Sequence, residues 1–206
     1  VTIAAVILAG GMSRRMGGGD KALHRLAGRP ILDHVIARIR PQVDVTVLNA
    51  NGDPARFAAW DLPVIQDSIA GFPGPLAGIH TGMEWAAKNF PGITDILSIP
   101  ADLPFLPPNL AAELEKARTA KGADIAIASS GGQIHPTVAL WPVRLAAALG
   151  QAIVVEDIRK VTAFANRYTL AVAEFPVDGV DPFHNINSPD DLAQAETLAA
   201  LSVRKS

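Results

Sequence analysis

Short apolar runs alternate along this chain with amphipathic stretches and glycine–proline turns, and that alternation constrains its fold more than any other feature. Ile3 to Leu8 is continuously apolar, partly β-branched and closed by Gly10-Gly11, the pattern of a strand buried on both faces. Pro30 then opens a helix with Leu32, Val35, Ile36 and Ile39 on one face, and Pro41 ends it. Val43 to Leu48 reads as a second strand, Pro54 to Trp60 as helical, and Val64-Ile65 as a short third strand. A helix over Gly78 to Lys88, a strand over Ile96 to Ile99 and a helix over Pro107 to Lys121 complete the series. Strands and helices in strict alternation predict an α/β protein with an open, mostly parallel sheet.

The pattern changes after that. Ile125 to Ala128 and Thr137 to Leu140 flank Gly131-Gly132, which predicts a hairpin and thus an antiparallel element in the C-terminal half. A helix near Glu156 to Asn166 and a strand at Leu170 to Phe175 follow. Ser188-Pro189-Asp190-Asp191 has the make-up of a helix start, with serine at the N-cap, proline next and acids in the first turn. There is no internal repeat or linker, so residues 1–206 are expected to form one domain.

Composition narrows the function classes. An apolar fraction of 49% against 18% charged residues excludes general disorder. Absence of cysteine excludes disulfide frameworks, thiolate zinc sites and cysteine nucleophiles. A net charge of −2 argues against nucleic acid or membrane as a partner. Mean hydropathy is positive at +0.24, but the uncharged stretch Ser68 to Met83 is broken by Pro73, Pro75 and four glycines, which suits no spanning helix. VTIAAVILAGG has no basic n-region, so a cytoplasmic location is expected.

Chemistry concentrates in the loop after the first strand, Leu8-Ala9-Gly10-Gly11-Met12-Ser13-Arg14-Arg15-Met16-Gly17-Gly18-Gly19-Asp20-Lys21. Ligands of an open α/β sheet bind beyond the carboxyl ends of its strands. Five glycines in these fourteen residues let backbone N–H groups approach phosphate oxygens, and Arg14, Arg15 and Lys21 supply the opposite charge. No G-K-[ST] or G-x-G-x-x-G is present, so neither a P-loop nor a dinucleotide fingerprint is formed. The near-neutral total of −2 also conceals a contrast: residues 14–40 carry a net +5 and the remainder −7. A local cationic patch of that kind suits a small polyphosphate site.

Other candidates lie at strand ends. Asp102 stands between Pro100 and Pro104, which favour extended backbone; its carboxylate suits a Mg²⁺ shared with substrate phosphates, or alternatively a turn or helix cap. Asn49 ends the second strand and Asp67 follows the third, as ligand contacts or as turn formers. Asn185 and Asn187 alternate and share one face of an extended segment. Pro73-Gly74-Pro75-Leu76-Ala77-Gly78 reads as a rigid turn opening a helix, and His135-Pro136 as a hairpin end.

LAGG-x-S-R-R-M-G-G-x-D-K, together with Pro-Gly-Pro-Leu-Ala-Gly at 73–78 and Asn-Ile-Asn-Ser-Pro at 185–189, resembles the molybdenum cofactor guanylyltransferases. Matching blocks at Val47 to Asn51, Gln66 to Ser68, Pro100 to Phe105 and His135 to Thr137 extend the resemblance over nearly the whole chain. It implies a doubly wound, Rossmann-like nucleotidyltransferase fold that transfers GMP from GTP to molybdopterin or molybdenum cofactor, with Mg²⁺ and release of pyrophosphate. It further implies that Arg15, Lys21 and Asp102 are catalytic, with Asp102 as metal ligand. Leu8, Ala9, Gly10, Gly11, Lys21, Asn49, Asp67 and Asp102 would bind GTP, while Gly74, Gly78, His135, Asn185 and Asn187 would bind the acceptor pterin. The N-terminal half would thus hold nucleotide and the C-terminal half the acceptor. Molybdoenzyme-specific chaperones and other cofactor-pathway proteins would be further partners of a monomer or weak oligomer. Related cytidylyl enzymes usually carry LAAG where this chain has Leu8-Ala9-Gly10-Gly11. Cytidylyl transfer to the same pterin, or nucleotidyl transfer to a sugar or alcohol phosphate, is the nearest alternative, and a non-catalytic nucleotide or cofactor carrier the more distant one.

Overall fold

The elements follow the alternation that the sequence predicts, with additions. Strand β1 (Ile3–Leu8) precedes a two-stranded ribbon of β2 (Arg25–Leu26) and β3 (Arg29–Pro30), then helix α1 (Ile31–Ile39). Strands β4 (Val45–Asn49) and β5 (Val64–Ile65) flank a 3-10 helix at Pro54–Trp60. Helix α2 (Pro75–Asn89), β6 (Asp95–Pro100) and α3 (Leu110–Lys121) come next. The rest of the chain forms β7 (Ile125–Ser130), β8 (Gln133–Pro142), α4 (Ala146–Val154), α5 (Val161–Ala165), β9 (Leu170–Phe175) and α6 (Pro189–Val203). The computed structural model describes residues 2–10, 20–71 and 74–203.

Seven strands form one sheet in the order β5-β4-β1-β6-β8-β7-β9. β8 runs against both neighbours, and the other pairings are parallel. β1 explains its own composition: Ile3, Ala5 and Ile7 enter one core while Ala4 and Val6 enter the other. Buried residues of α1, α3 and α6 line the first core, and those of α2, α4 and α5 the second. The chain is therefore wound on both faces. It leaves β1 toward β4 on one side and returns to β6 on the other, which makes β1 the topological switch point.

Four local details depart from the periodicity. Ala27 and Gly28 both have positive φ, 48° and 77°, and turn β2 into β3, a ribbon with no apolar alternation to announce it. Pro54–Trp60 is a 3-10 helix, with Asp53 Oδ1 accepting from Ala55 N at 2.9 Å. The stretch Glu156 to Asn166 is helical only over Val161–Ala165, because Asp157 lies at φ 52° and breaks it. Helix α4 goes unannounced because its sequence AAALGQAIV is apolar nearly all round and shows no one-sided stripe. Gly150 within it is needed, since a Cβ there would stand 2.7 Å from His80 Nε2.

Candidate active site

Registry puts three strand ends in one row. Leu8 of β1 pairs with Asn49 of β4 on one side and Pro100 of β6 on the other. The chain stays joined just beyond: Ala9 N donates to Asn49 O at 2.8 Å and Ala101 N to Leu8 O at 3.0 Å. A cleft of ≈ 400 Å³ opens over this row, with Leu8, Gly10, Asn49 and Pro100 at its floor and Lys21, Asp102, Asn185 and Asn187 along one side. Hollows of ≈ 530 Å³ near Arg118 and ≈ 610 Å³ near Trp85 lie away from the carboxyl ends of β1, β4 and β6. The switch-point cleft is the one positioned as a ligand crevice.

Among the described residues, one end of the cleft is uncharged apart from a single carboxylate. Asn49 Nδ2 donates to Asp67 Oδ1 at 2.9 Å, Asn51 Nδ2 donates to Asp67 Oδ2 at 2.8 Å, and Asp67 N donates back to Asn51 Oδ1 at 2.9 Å. The carboxylate is thereby fixed in place, and two of its roughly four acceptor positions remain for a ligand. Gly78, fourth residue of α2, makes this possible. A Cβ on it would lie 2.2 Å from Asn49 Oδ1 and 2.8 Å from Leu8 Cδ2, so the helix can approach the strand ends only with hydrogen there.

The other end is charged. Lys21 Nζ lies 3.6 Å from Asp102 Oδ2 and hydrogen-bonds to Asn187 Oδ1. Ile186 N donates to Asp102 O at 3.2 Å, so the C-terminal segment is tied to the loop after β6. Its asparagines are oriented by the cap of α6: Asp191 Oδ2 accepts from Asn187 N and Ser188 N, both at 2.9 Å, while Ser188 Oγ accepts from Asp191 N at 3.2 Å. These bonds hold the Asp191 carboxyl below the ordinary carboxylate range, the Asn187 amide first among them. Asp102 goes the other way. Burial pushes its carboxyl up, against the pull of the Lys21 charge, its own backbone amide and Asn185.

His135 sits beside the cleft. The pairing of β7 with β8 slips between Ile127 and Ala128, from Ala139 to His135, which leaves Pro136, Thr137 and Val138 as an insertion. Thr137 is thereby brought to the cleft wall. His135 Nε2 meets Ser130 Oγ at 2.8 Å, Ser130 Oγ donates to Asp181 Oδ1 at 2.8 Å, and the imidazole packs 4.7 Å from the Phe183 ring. These contacts anchor the segment that carries Asn185 and Asn187.

Residues 5–170 match the MobA-like NTP transferase domain family. The chain is 54% identical over 195 residues to a molybdenum cofactor guanylyltransferase of Rhodopseudomonas palustris strain BisB5, covering 95% of this chain and 93% of that protein. The chain belongs to the molybdenum cofactor guanylyltransferase family. A second relative of that name, from Bradyrhizobium sp. strain ORS 278, is 52% identical over 98% of this chain and 95% of its own length. Among solved structures, molybdopterin-guanine dinucleotide biosynthesis protein A from Archaeoglobus fulgidus is similar with a TM-score of 0.74 at 27% identity, covering 97% of this chain and all of that one. As a member of this family the chain is a nucleotidyltransferase, and the sheet with its switch-point cleft is the family's nucleotidyltransferase fold.

Of the residues singled out in the sequence, Leu8, Gly10, Lys21, Asn49, Asp67, Gly74, Asp102, Asn185 and Asn187 meet at the cleft. Ala9 is buried at the end of β1, Gly78 lies beneath Asn49, and His135 stands behind the wall. Gly11, Arg14, Arg15 and Pro73 lie outside the described residues. Asn51 was not among the sequence candidates, although its i, i+2 relation to Asn49 is the same signal that singles out Asn185 and Asn187. Asp102 Oδ1 is buried with no hydrogen-bond partner among the described residues. A carboxylate oxygen left uncommitted beside a cation fits Mg²⁺, which takes one or two carboxylates and completes its shell with water and substrate phosphates. Among the described residues no cluster of three or more His, Asp or Glu is gathered for a metal. No helix among the described residues is long and apolar enough to cross a membrane.

Proposed function

We propose that this chain transfers GMP from GTP to molybdopterin or molybdenum cofactor, yielding the guanine dinucleotide form and pyrophosphate. The observation that carries the reading is the meeting of Lys21 and Asp102 between the Asn49, Asn51 and Asp67 end of the cleft and the C-terminal Asn185 and Asn187. Asn49, Asn51 and Asp67 would hold the nucleoside, with Asn185 and Asn187 facing the acceptor. An oxygen of the acceptor's terminal phosphate attacks the α-phosphorus of GTP, the α–β bridging P–O bond breaks, and pyrophosphate leaves. A phosphate nucleophile is already ionised near neutral pH, so no general base is required. The chain's task is to align two polyanions and offset their charge. Lys21, with Arg15 from the glycine loop, neutralises charge on the phosphates. Asp102 would hold Mg²⁺, which when bound supplies Lewis-acid neutralisation of the triphosphate. A cytoplasmic location and hand-over to cofactor-pathway proteins belong to the same proposal.

The test offers GTP, CTP, ATP and UTP with molybdopterin and Mg²⁺, and measures pyrophosphate release and dinucleotide formation. GTP preference is expected. Preference for CTP, or binding without pyrophosphate release, would overturn the reading. Loss of one electrostatic stabiliser typically costs roughly 100- to 1,000-fold in turnover. Lys21→Ala should lose about that much while remaining folded by circular dichroism, and near wild-type transfer by that variant would sink the assignment.

A further inference from the structure

Arg56 lies outside the cleft, in the 3-10 helix Pro54–Trp60, yet it joins the two chain segments that supply the cleft's opposite ends. Its Nη1 donates to both oxygens of Asp20, at 3.0 and 2.7 Å. Its Nη2 donates to Asn51 O at 2.5 Å, and its Nε to Asp53 O at 2.9 Å. The guanidinium carbon also sits 5.1 Å from the Phe57 ring centroid, and Phe57 is fully buried. Asp20 immediately precedes Lys21, and its carbonyl accepts from Leu23 N at 3.0 Å, closing the turn that carries Lys21. Asn51 is the residue whose side chain pairs twice with Asp67.

We infer that Arg56 is a positioning residue that sets the distance between Lys21 and the Asn51–Asp67 pair, and so matches the cleft to the length of a nucleoside triphosphate. This rests on the nucleotide-binding reading above. The physical basis is the planar fork of the guanidinium, whose donors point in fixed directions toward acceptors on two different segments. An ammonium at the same place can neutralise Asp20, but as a point charge it does not span Asp20, Asn51 and Asp53 together. The Asp20 carboxylate side chain is 9% exposed against 33% for Arg56, so the acid is the enclosed partner and the arginine reaches in from solvent. Misplacing a charge by about 1 Å can cost on the order of 100-fold in rate. Loosening this clamp should therefore act on nucleotide use more than on acceptor use.

The test compares wild type, Arg56→Met, Arg56→Lys, Asp20→Asn and the Arg56→Met/Asp20→Asn pair. Measurements are KM for GTP, KM for molybdopterin, kcat, Kd for GTP by calorimetry, and thermal unfolding. Arg56→Met is expected to raise KM and Kd for GTP about tenfold or more with little change in the acceptor's KM. Arg56→Lys should recover only part of this, and the double variant should be no worse than the worse single one. Variants that lower the melting temperature but keep wild-type Kd and KM for GTP would reduce Arg56 to a fold-stabilising residue and overturn the inference. Full recovery by lysine would overturn the clamp in favour of simple neutralisation of Asp20. A wild-type protein that binds GTP but transfers no GMP would overturn the proposed function alone, since the Kd comparison still decides the role of Arg56.

Discussion

Substituting Gly78 by alanine places a methyl group where the structure has no room for one. The new Cβ would lie 2.2 Å from Asn49 Oδ1 and 3.0 Å from Asn49 Cγ, with Leu8 Cδ2 at 2.8 Å. An ordinary carbon–oxygen contact is about 3.3 Å or longer, so the amide must retreat by about 1 Å. Asn49 is buried and its Nδ2 is held by Asp67 Oδ1 at 2.9 Å, so retreat strains that bond to a charged acceptor. Overpacking costs about 1–3 kcal/mol and a weakened charged hydrogen bond up to about 1.5–3 kcal/mol. Helix propensity returns only about 1 kcal/mol when glycine becomes alanine. A net loss of about 1.5–5 kcal/mol follows, which for a chain of this size lowers the melting temperature by roughly 3–20 °C. Displacing Asn49 should also raise KM for GTP about tenfold or more. Gly82→Ala is the control, because its Cβ would meet Val6 Cγ2 at 2.5 Å inside the core of the α2 face, away from the cleft. Both variants should melt early, but only Gly78→Ala should change KM for GTP. Equal effects on KM, or a Gly78→Ala protein with wild-type stability and KM, would rule out the close approach of α2 to Asn49 as the cause.

Two further outcomes follow from the titrating groups. Because burial disfavours the charged form of Asp102, Asp102→Asn should melt at or above the wild-type temperature while losing transfer; early melting with retained transfer would contradict both halves. His80 and His135 are each held below the ordinary imidazole value of 6.5, first by burial, with Glu84 opposing at His80 and Asp181 and Glu174 at His135. The unfolded chain therefore takes up these protons first, and the stability they confer is complete above about pH 6.5 and lost as pH falls through and below it. Thermal melts from about pH 8 to pH 5 should show that decline, and His135→Gln should reduce its slope; an unchanged slope in that variant would refute the assignment to His135.

Several parts of the molecule are legible in its residues because the cause is local. Ile3–Leu8 and Leu170–Phe175 come out with the boundaries that their apolar runs and flanking turns predict. The hairpin at Gly131-Gly132 forms with both glycines at positive φ, and α6 starts where Ser188 and Asp191 cap it. Helix α4 was hidden, and the helix expected near Glu156 to Asn166 shrinks to Val161–Ala165, for equally physical reasons. An all-round apolar helix has no stripe to read, and the left-handed Asp157 breaks a segment whose composition is otherwise helical.

For the site, local sequence is enough to say which side chains stand at strand ends and beside glycine turns, because turn formers and strand termini are set by nearest neighbours. Which of those ends share a cleft follows only from long-range packing. β6 lies beside β1, although β4 and β5 come between them in the chain, and Lys21 meets Asn187 across 166 positions. Strand order and registry depend on which faces of distant segments bury each other, and no local period records that. The same holds for Arg56, whose charge is visible in the sequence while its clamp between Asp20 and Asn51 exists only once β1 and β4 are paired.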